Sequence, residues 1–350
     1  MAKKIEKIMI ETIISLIISF FITYLTIPLI LILSKRYTDL LKIPNLIASH
    51  SKAVPTYGGV AIFFGIILSF FVLLKIGDVD GVQWIMGSVF IIFFLGVIDD
   101  SITLRPSKKF LGQLIAITII VYFNDLRITS MQGLFFIHEL SYIPSFLLTV
   151  LTMLIITNAY NLIDGIDGLA ALIGLLVSVV FFVFFFVQAE YNFTVIIASI
   201  IGGLAAFLRY NWHPAKIFMG DTGSLVIGFL LSVIAIVFIE KDFRIESEWI
   251  QIKTSTLAIA ILIVPLQDLL RVFIVRLLQK KSPFSGDRNH LHHLLIDKGL
   301  SQIQTSFTLI AFNIVVIIAA LFFAFLNINY VLLLICSLGV LFLVIINKSK

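Results

Sequence analysis

The chain has 350 residues, 60% hydrophobic and 13% charged, with a mean hydropathy of +1.12 and a formal net charge of +5. Soluble proteins carry about 25% charged residues, so the composition excludes a soluble enzyme or binding domain. It predicts an all-α polytopic integral membrane protein, a single domain over 1–350, with no nucleic acid among its partners. The one cysteine, Cys336, lies in an apolar run and cannot form an internal disulfide.

Apolar runs long enough to span, allowing for tilt and short helices, fall near 8–33, 56–74, 82–98, 110–124, 143–160, 168–188, 193–209, 223–239, 254–278, 305–325 and 328–346. They predict eleven transmembrane helices, or ten if the last two, joined by little more than Asn327, are one. The basic start Met1–Lys7 ahead of an apolar run mimics a signal peptide. The first run is too long for that and lacks a small-residue cleavage site, so it reads as a retained span. The outer loop 125–142, around Gly133, reads as a short hairpin. Pro265 predicts a kink in the ninth span. Asp268 and Arg271, three apart on one helix face, read there as a structural ion pair.

Loops after odd-numbered spans share one face, which carries 17 of the 25 Lys and Arg. The positive-inside rule puts that face in the cytoplasm. The first span alone is nearly balanced, so the orientation rests on the sum. Acids and histidines sort the same way. Every acid on the odd-loop face is Asp, all Glu lie on the other, and His50, His213, His290, His292 and His293 join the aspartates. Short carboxylates gathered with His and Lys point to a site assembled from several loops.

In the first cytoplasmic loop, Lys52 is a point charge for a phosphate or an ordinary anchoring lysine, and Gly58-Gly59 would leave backbone N–H groups open to an anion. Asp99-Asp100 ends the third span, followed by Arg105, Lys108 and Lys109. Adjacent carboxylates repel unless a cation or proton lies between them, and a helix C-terminus disfavours them. Between the fifth and sixth spans, Asn158 through Gly168 holds Asn161, Asp164 and Asp167, costly groups at a membrane edge, although Asn, Asp and Gly also build ordinary polar turns. The next loop on this face runs from Asn211 to Phe218-Met219-Gly220-Asp221-Thr222-Gly223-Ser224. Asp221 precedes a span, with Thr222 and Ser224 as candidate caps, and Phe218 could stack on a nucleobase. The last large loop carries Asp287-Arg288, His290, His292 and His293. Three histidines hint at zinc, but the aspartate-rich surroundings favour a hard ion such as Mg²⁺.

These motifs, in this order and on one face, resemble the polyprenyl-phosphate N-acetylhexosamine-1-phosphate transferase family along nearly the whole chain. The last loop is similar to the undecaprenyl-phosphate GlcNAc-1-phosphate branch that starts teichoic acid, O-antigen or common-antigen chains. The related muramoyl-pentapeptide translocase branch is the alternative. The resemblance implies transfer of GlcNAc-1-phosphate from UDP-GlcNAc to undecaprenyl phosphate with release of UMP. It also implies Mg²⁺ (Mn²⁺ as substitute), a homodimer in the cell membrane, and a site open to the cytoplasm.

On that basis Asp99, Asp100 and Asp221 are the candidate catalytic residues, and Asp221 with Asn161 the candidate metal ligands. Asp99 would orient the lipid phosphate, or deprotonate it. Lys52, Lys108, Lys109 and Arg288 would neutralise phosphate charge. Phe218 and Asp167 would read uracil, while Asp164, Asn211, His290, His292 and His293 complete the substrate contacts. Direct attack and a two-step route through a covalent aspartyl intermediate are both compatible with these residues. A secondary transporter is the reading from another class, with polar groups along a path at mid-membrane. Here the charges crowd one face instead.

Overall fold

The computed structural model describes residues 2–36, 41–42, 54–73, 81–241, 253–280 and 289–348. Each apolar run is helical. The helices are α1 (Ala2–Arg36), α2 (Gly58–Leu73), α3 (Val82–Ile102), α4 (Pro106–Phe123), α5 (Tyr142–Leu162), α6 (Leu169–Val187), α7 (Tyr191–Asn211) and α8 (Gly220–Glu240). Then come the pair α9 (Thr254–Ile261) and α10 (Ile263–Leu278), the short α11 (Leu291–Asp297), α12 (Gln302–Phe322) and α13 (Ile328–Lys348). Within a bilayer, backbone groups must be satisfied inside the segment, which is why so apolar a chain folds as helices. Eight helices are long and apolar enough to cross a membrane, or nine if the bent pair is one span. The remaining two runs are helices of another kind: α2 has 16 residues, and α4 is not among the eight.

The bundle is built around α8. Every residue from Thr222 to Ile239 is buried, and α2, α3, α5, α6 and α9 all pack on it. A helix that is apolar all round belongs inside a bundle. At the rim, α1 and α13 present apolar side chains such as Leu29 and Leu333 outward, as lipid-facing helices do. Two helix starts meet backbone to backbone, because a Cβ on Gly59 would lie 2.0 Å from the Gly223 nitrogen. Gly58 N–H donates to Phe218 O, Gly59 N–H to Met219 O and Phe218 N–H to Pro55 O. The Gly58 and Gly59 N–H groups are therefore spent on this clamp and not left open to an anion.

The ninth run breaks by 75° between Ile261 and Ile263. Pro265 has no N–H to give the Ile261 carbonyl, four residues back, and its ring crowds that carbonyl. Buried Asn313 of α12 takes over, donating through Nδ2 to Ala260 O at 3.0 Å and Ile261 O at 3.2 Å. A broken helix inside the membrane is tolerable when a neighbour re-satisfies its backbone in this way.

The two ends of the bundle differ in kind. At one end the expected hairpin forms, with Leu140 N–H donating to Thr129 O and Met131 N–H to His138 O. Gln132 at its tip ties α8 to α9: Nε2 donates to Ile239 O and Thr254 Oγ1, and Oε1 accepts from Ser255. The loops that follow α3, α5 and α7 gather at the other end with the start of α12.

Candidate active site

The end of α3, the start of α4 and the start of α8 are brought together by backbone geometry. Thr103 adopts φ 48°, reversing the chain after α3. Pro106 opens α4 at its first position, where its missing N–H costs nothing. Asp99 braces the reversal: its main-chain oxygen accepts from Thr103 N–H and its Oδ1 from Leu104 N–H at 2.6 Å. One turn into α4, Lys109 comes back alongside. Its Nζ lies 2.9 Å from Asp99 Oδ2 and 2.7 Å from Asp221 Oδ1. Asn161, at the end of α5, donates from Nδ2 to the same Asp221 oxygen at 2.5 Å and to Ser224 Oγ at 2.6 Å. Four helices thus meet at one carboxylate.

Asp100 faces the N-terminus of α8. Its Oδ1 accepts from Asp221 N–H, and its Oδ2 accepts from both the N–H and the hydroxyl of Thr222, at 2.6–2.9 Å. A helix start has unpaired N–H groups, and here a carboxylate from another helix caps two of them. That corrects one expectation: Thr222 and Ser224 are not the caps of α8, since Thr222 Oγ1 donates to Asp100 Oδ2 and Ser224 Oγ to Gly220 O. Gly220 makes the approach feasible. It sits at φ 71°, and a Cβ there would come within 2.2 Å of Thr56 O and 2.6 Å of Asp100 Oδ2.

The side chain of Asp99 is 6% exposed, that of Lys109 17% and that of Asp221 25%, so Asp221 is the member most open to a ligand. Among the described residues no three His, Cys, Asp or Glu form a preformed metal cage. The oxygens of Asp99, Asp221 and Asn161 nonetheless suit Mg²⁺, which binds one or two carboxylates and keeps positions for water and phosphate. Lys109 is the cation now between the two aspartates.

Asp167 and Asn211 were expected to meet substrate, but the structure uses them to hold the loops. Asp167 Oδ2 accepts from Ala215 N–H at 3.0 Å and lies 2.7 Å from His213 Nδ1, and its side chain is 0% exposed. A carboxylate so enclosed is ill placed to read a uracil edge. Asn211 accepts from Gly168 N–H and donates to Ile217 O, pinning the turn before α6 to the strand-like segment before α8. Asp164 is half-buried in the turn after α5, and Phe218 is half-buried beside α2. Lys108 points into the open, leaving Lys109 as the lysine that reaches the carboxylates. Lys52 and Arg288 lie outside the described residues, as do His50 and Asp287.

His290, His292 and His293 are buried and mutually packed, with the His290 and His292 rings parallel at 5.5 Å. They belong to the same end of the molecule, because His292 rests on the Asn158–Gly168 loop. A Cβ on Gly165 would fall 2.2 Å from His292 Nε2, so any larger residue there would push the ring aside. Burial, reinforced by His293 and His290, holds the His292 ring well below the usual histidine pKa, and it is neutral at pH 7.

Two contributors were not foreseen. Gln113 of α4 and Asn158 of α5 exchange amide hydrogen bonds, fixing the register that places Lys109 and Asn161 on Asp221. Asp268 does not pair with Arg271 as expected. Its Oδ2 lies 2.7 Å from His290 Nδ1, and its Oδ1 accepts from Leu291 N–H at 2.6 Å. A carboxylate inside an apolar span was the available signal. The assumption of a local partner hid it.

Residues 82–239, from α3 through α8, match the model for glycosyl transferase family 4. The chain is 33% identical over 303 residues to a probable undecaprenyl-phosphate N-acetylglucosaminyl 1-phosphate transferase of Bacillus subtilis, covering 83% of this chain and 80% of that protein. It is 27% identical over 302 residues to a decaprenyl-phosphate N-acetylglucosaminephosphotransferase of Mycobacterium leprae, covering 80% and 75%. A phospho-N-acetylmuramoyl-pentapeptide-transferase of Desulforamulus reducens is 31% identical over 211 residues, covering 54% and 62%. With a multi-pass helical bundle and charged groups converging at one end, the chain belongs to glycosyl transferase family 4 and is a membrane phosphoglycosyl transferase.

Proposed function

We propose that the enzyme transfers GlcNAc-1-phosphate from UDP-GlcNAc to undecaprenyl phosphate, as the first membrane step of a cell-envelope glycan. An oxygen of the lipid phosphate attacks the β-phosphorus of the nucleotide sugar. The bond from that phosphorus to the bridging oxygen breaks, and UMP leaves with the oxygen and the electron pair. Catalysis of such a step is mostly positioning and charge neutralisation. The observation that carries this reading is Lys109 held between Asp99 and Asp221, a partly exposed cluster of both signs at one end of the bundle.

A phosphate monoester has a second pKa near ~6 and is largely dianionic at pH 7, so the acceptor needs orientation more than deprotonation. Asp99, with both oxygens hydrogen-bonded, suits an orienting role better than that of a nucleophile, which favours direct displacement. Lys109 stabilises phosphate charge. Asp221 and Asn161 are the residues that would hold Mg²⁺, which supplies positive charge to the pyrophosphate and to the departing UMP. Phe218 offers a half-buried aromatic surface for the base. The positive-inside count supports a catalytic end in the cytoplasm. In place of a transport path, the broken span has its carbonyls occupied by Asn313.

The test is release of UMP by purified protein in detergent, scored over a panel of UDP-sugars with undecaprenyl phosphate. UDP-GlcNAc should be preferred, and strong preference for UDP-MurNAc-pentapeptide would replace this reading with the peptidoglycan one.

A further inference from the structure

The carboxylate of Asp268 is 1% exposed and lies in a membrane-embedded helix, far in sequence from the loop it serves. Both of its oxygens reach that loop. One meets His290 Nδ1 at 2.7 Å, and the other accepts from Leu291 N–H at 2.6 Å, capping the first turn of α11. One turn further along α10, Arg271 donates from Nη1 to Asn289 O. The bent span therefore grips residues 289–291 from one side, while His292 presses on Gly165 from the other. Among the described residues His292 Nε2, 2% exposed as a residue, has no hydrogen-bond partner. Buried polar atoms are normally paired, and this one, among several buried side-chain atoms without a partner, lies beside the central loop.

An ionised carboxylate only accepts hydrogen bonds. Its partner nitrogen on His290 must therefore carry the proton, and the other ring nitrogen, Nε2, is left for a ligand. In the neutral ring that nitrogen is an acceptor. We propose that Asp268 is a positioning residue for the phosphoglycosyl transfer: it locks His290 as the Nδ1–H tautomer so that Nε2 accepts a hydrogen bond from a hydroxyl or acetamido N–H of the transferred sugar. This rests on the reading above that the histidines face the nucleotide sugar. The resulting carboxylate–histidine–substrate relay parallels the way outer carboxylates fix ring orientation at metal-bound histidines.

The test measures turnover and KM for UDP-GlcNAc in Asp268→Asn, Asp268→Glu, His290→Gln and the Asp268→Asn/His290→Gln pair, with the tautomer of His290 read by ¹⁵N NMR of histidine-labelled wild-type protein. Asp268→Asn should lower turnover about 10–100-fold, and Asp268→Glu should recover part of it. In the His290→Gln background the asparagine substitution should change turnover less than about twofold, because its route is already gone. Multiplicative losses, a wild-type rate for Asp268→Asn, or a neutral ring protonated on Nε2 would each overturn the proposal. The NMR measurement needs no substitution and stands even if a variant fails to fold. A wild-type rate for His290→Gln would instead remove the histidines from the substrate, overturning the reading on which the proposal rests.

Discussion

The two ends of the bundle are both polar and both tie distant helices together, yet their chemistry differs. At the hairpin end charges are matched and sit beside neutral bonds: Arg127 pairs with Asp125 and Lys241 with Glu190, and the Glu240 carboxylate accepts from the N–H and hydroxyl of Thr129. The Gln132 amide serves α8 and α9, and Asn329 Nδ2 donates to Gly133 O while its Oδ1 accepts from Phe135 N–H. At the opposite end two carboxylates, Asp99 and Asp221, share Lys109, Asp100 caps α8, and among the described residues His292 Nε2 lacks a partner. Matched bonds close a structure. Unequal charge and an unpartnered nitrogen are what a cationic or phosphate-bearing ligand would complete. The difference separates a latch from the proposed working end.

The comparison breaks most visibly at Asp221. Asp221→Asn should cost about 10³-fold or more in exchange of labelled UMP into UDP-GlcNAc, the scale of losing a principal transition-state contact. Full exchange in that variant would mean that this end is not the working end. Lys109→Met should lower exchange about 10²-fold while tightening Mn²⁺ binding in the absence of substrate, followed by electron paramagnetic resonance. The ammonium that now lies between Asp99 and Asp221 would no longer compete with the ion. Unchanged Mn²⁺ affinity would show that the lysine and the metal do not share a place. At the other end, Gln132→Ala should destabilise the fold by about 1–3 kcal/mol, from backbone and hydroxyl groups left unpaired, with turnover per folded molecule unchanged. Thermal unfolding beside the exchange assay checks it, and a large loss of turnover there would erase the distinction between the ends.

Much of this architecture is legible from local pattern. Each apolar run became a helix, the hairpin fell where Gly133 suggested, and Pro265 bent its span. The bend itself lies three residues earlier, at Leu262, because a proline frees the carbonyl four residues before it. Of the site, the cluster of Asp99, Lys109, Asn161 and Asp221 follows from motifs at helix ends. The division of labour within it does not. Asp99 and Asp100 are adjacent, but successive helical residues face different directions. One side chain meets Lys109, and the other caps α8. Asp167 looked like a ligand residue for the same reason as Asp164, and only its contact with His213 and Ala215 separates them.

What the residues by themselves determined is a helical membrane protein with most of its aspartates and five of its six histidines sorted to one face, because hydropathy and charge act over a few turns and need no partner to be read. What tertiary structure alone decided is which polar group serves which. Asp268 reaches 22 residues along the chain to His290, Asp100 reaches 121 residues to the backbone of α8, and Asn313 closes a break in a different helix. In a bilayer each such group needs a partner, and where several lie within reach, only the packing of the helices chooses among them.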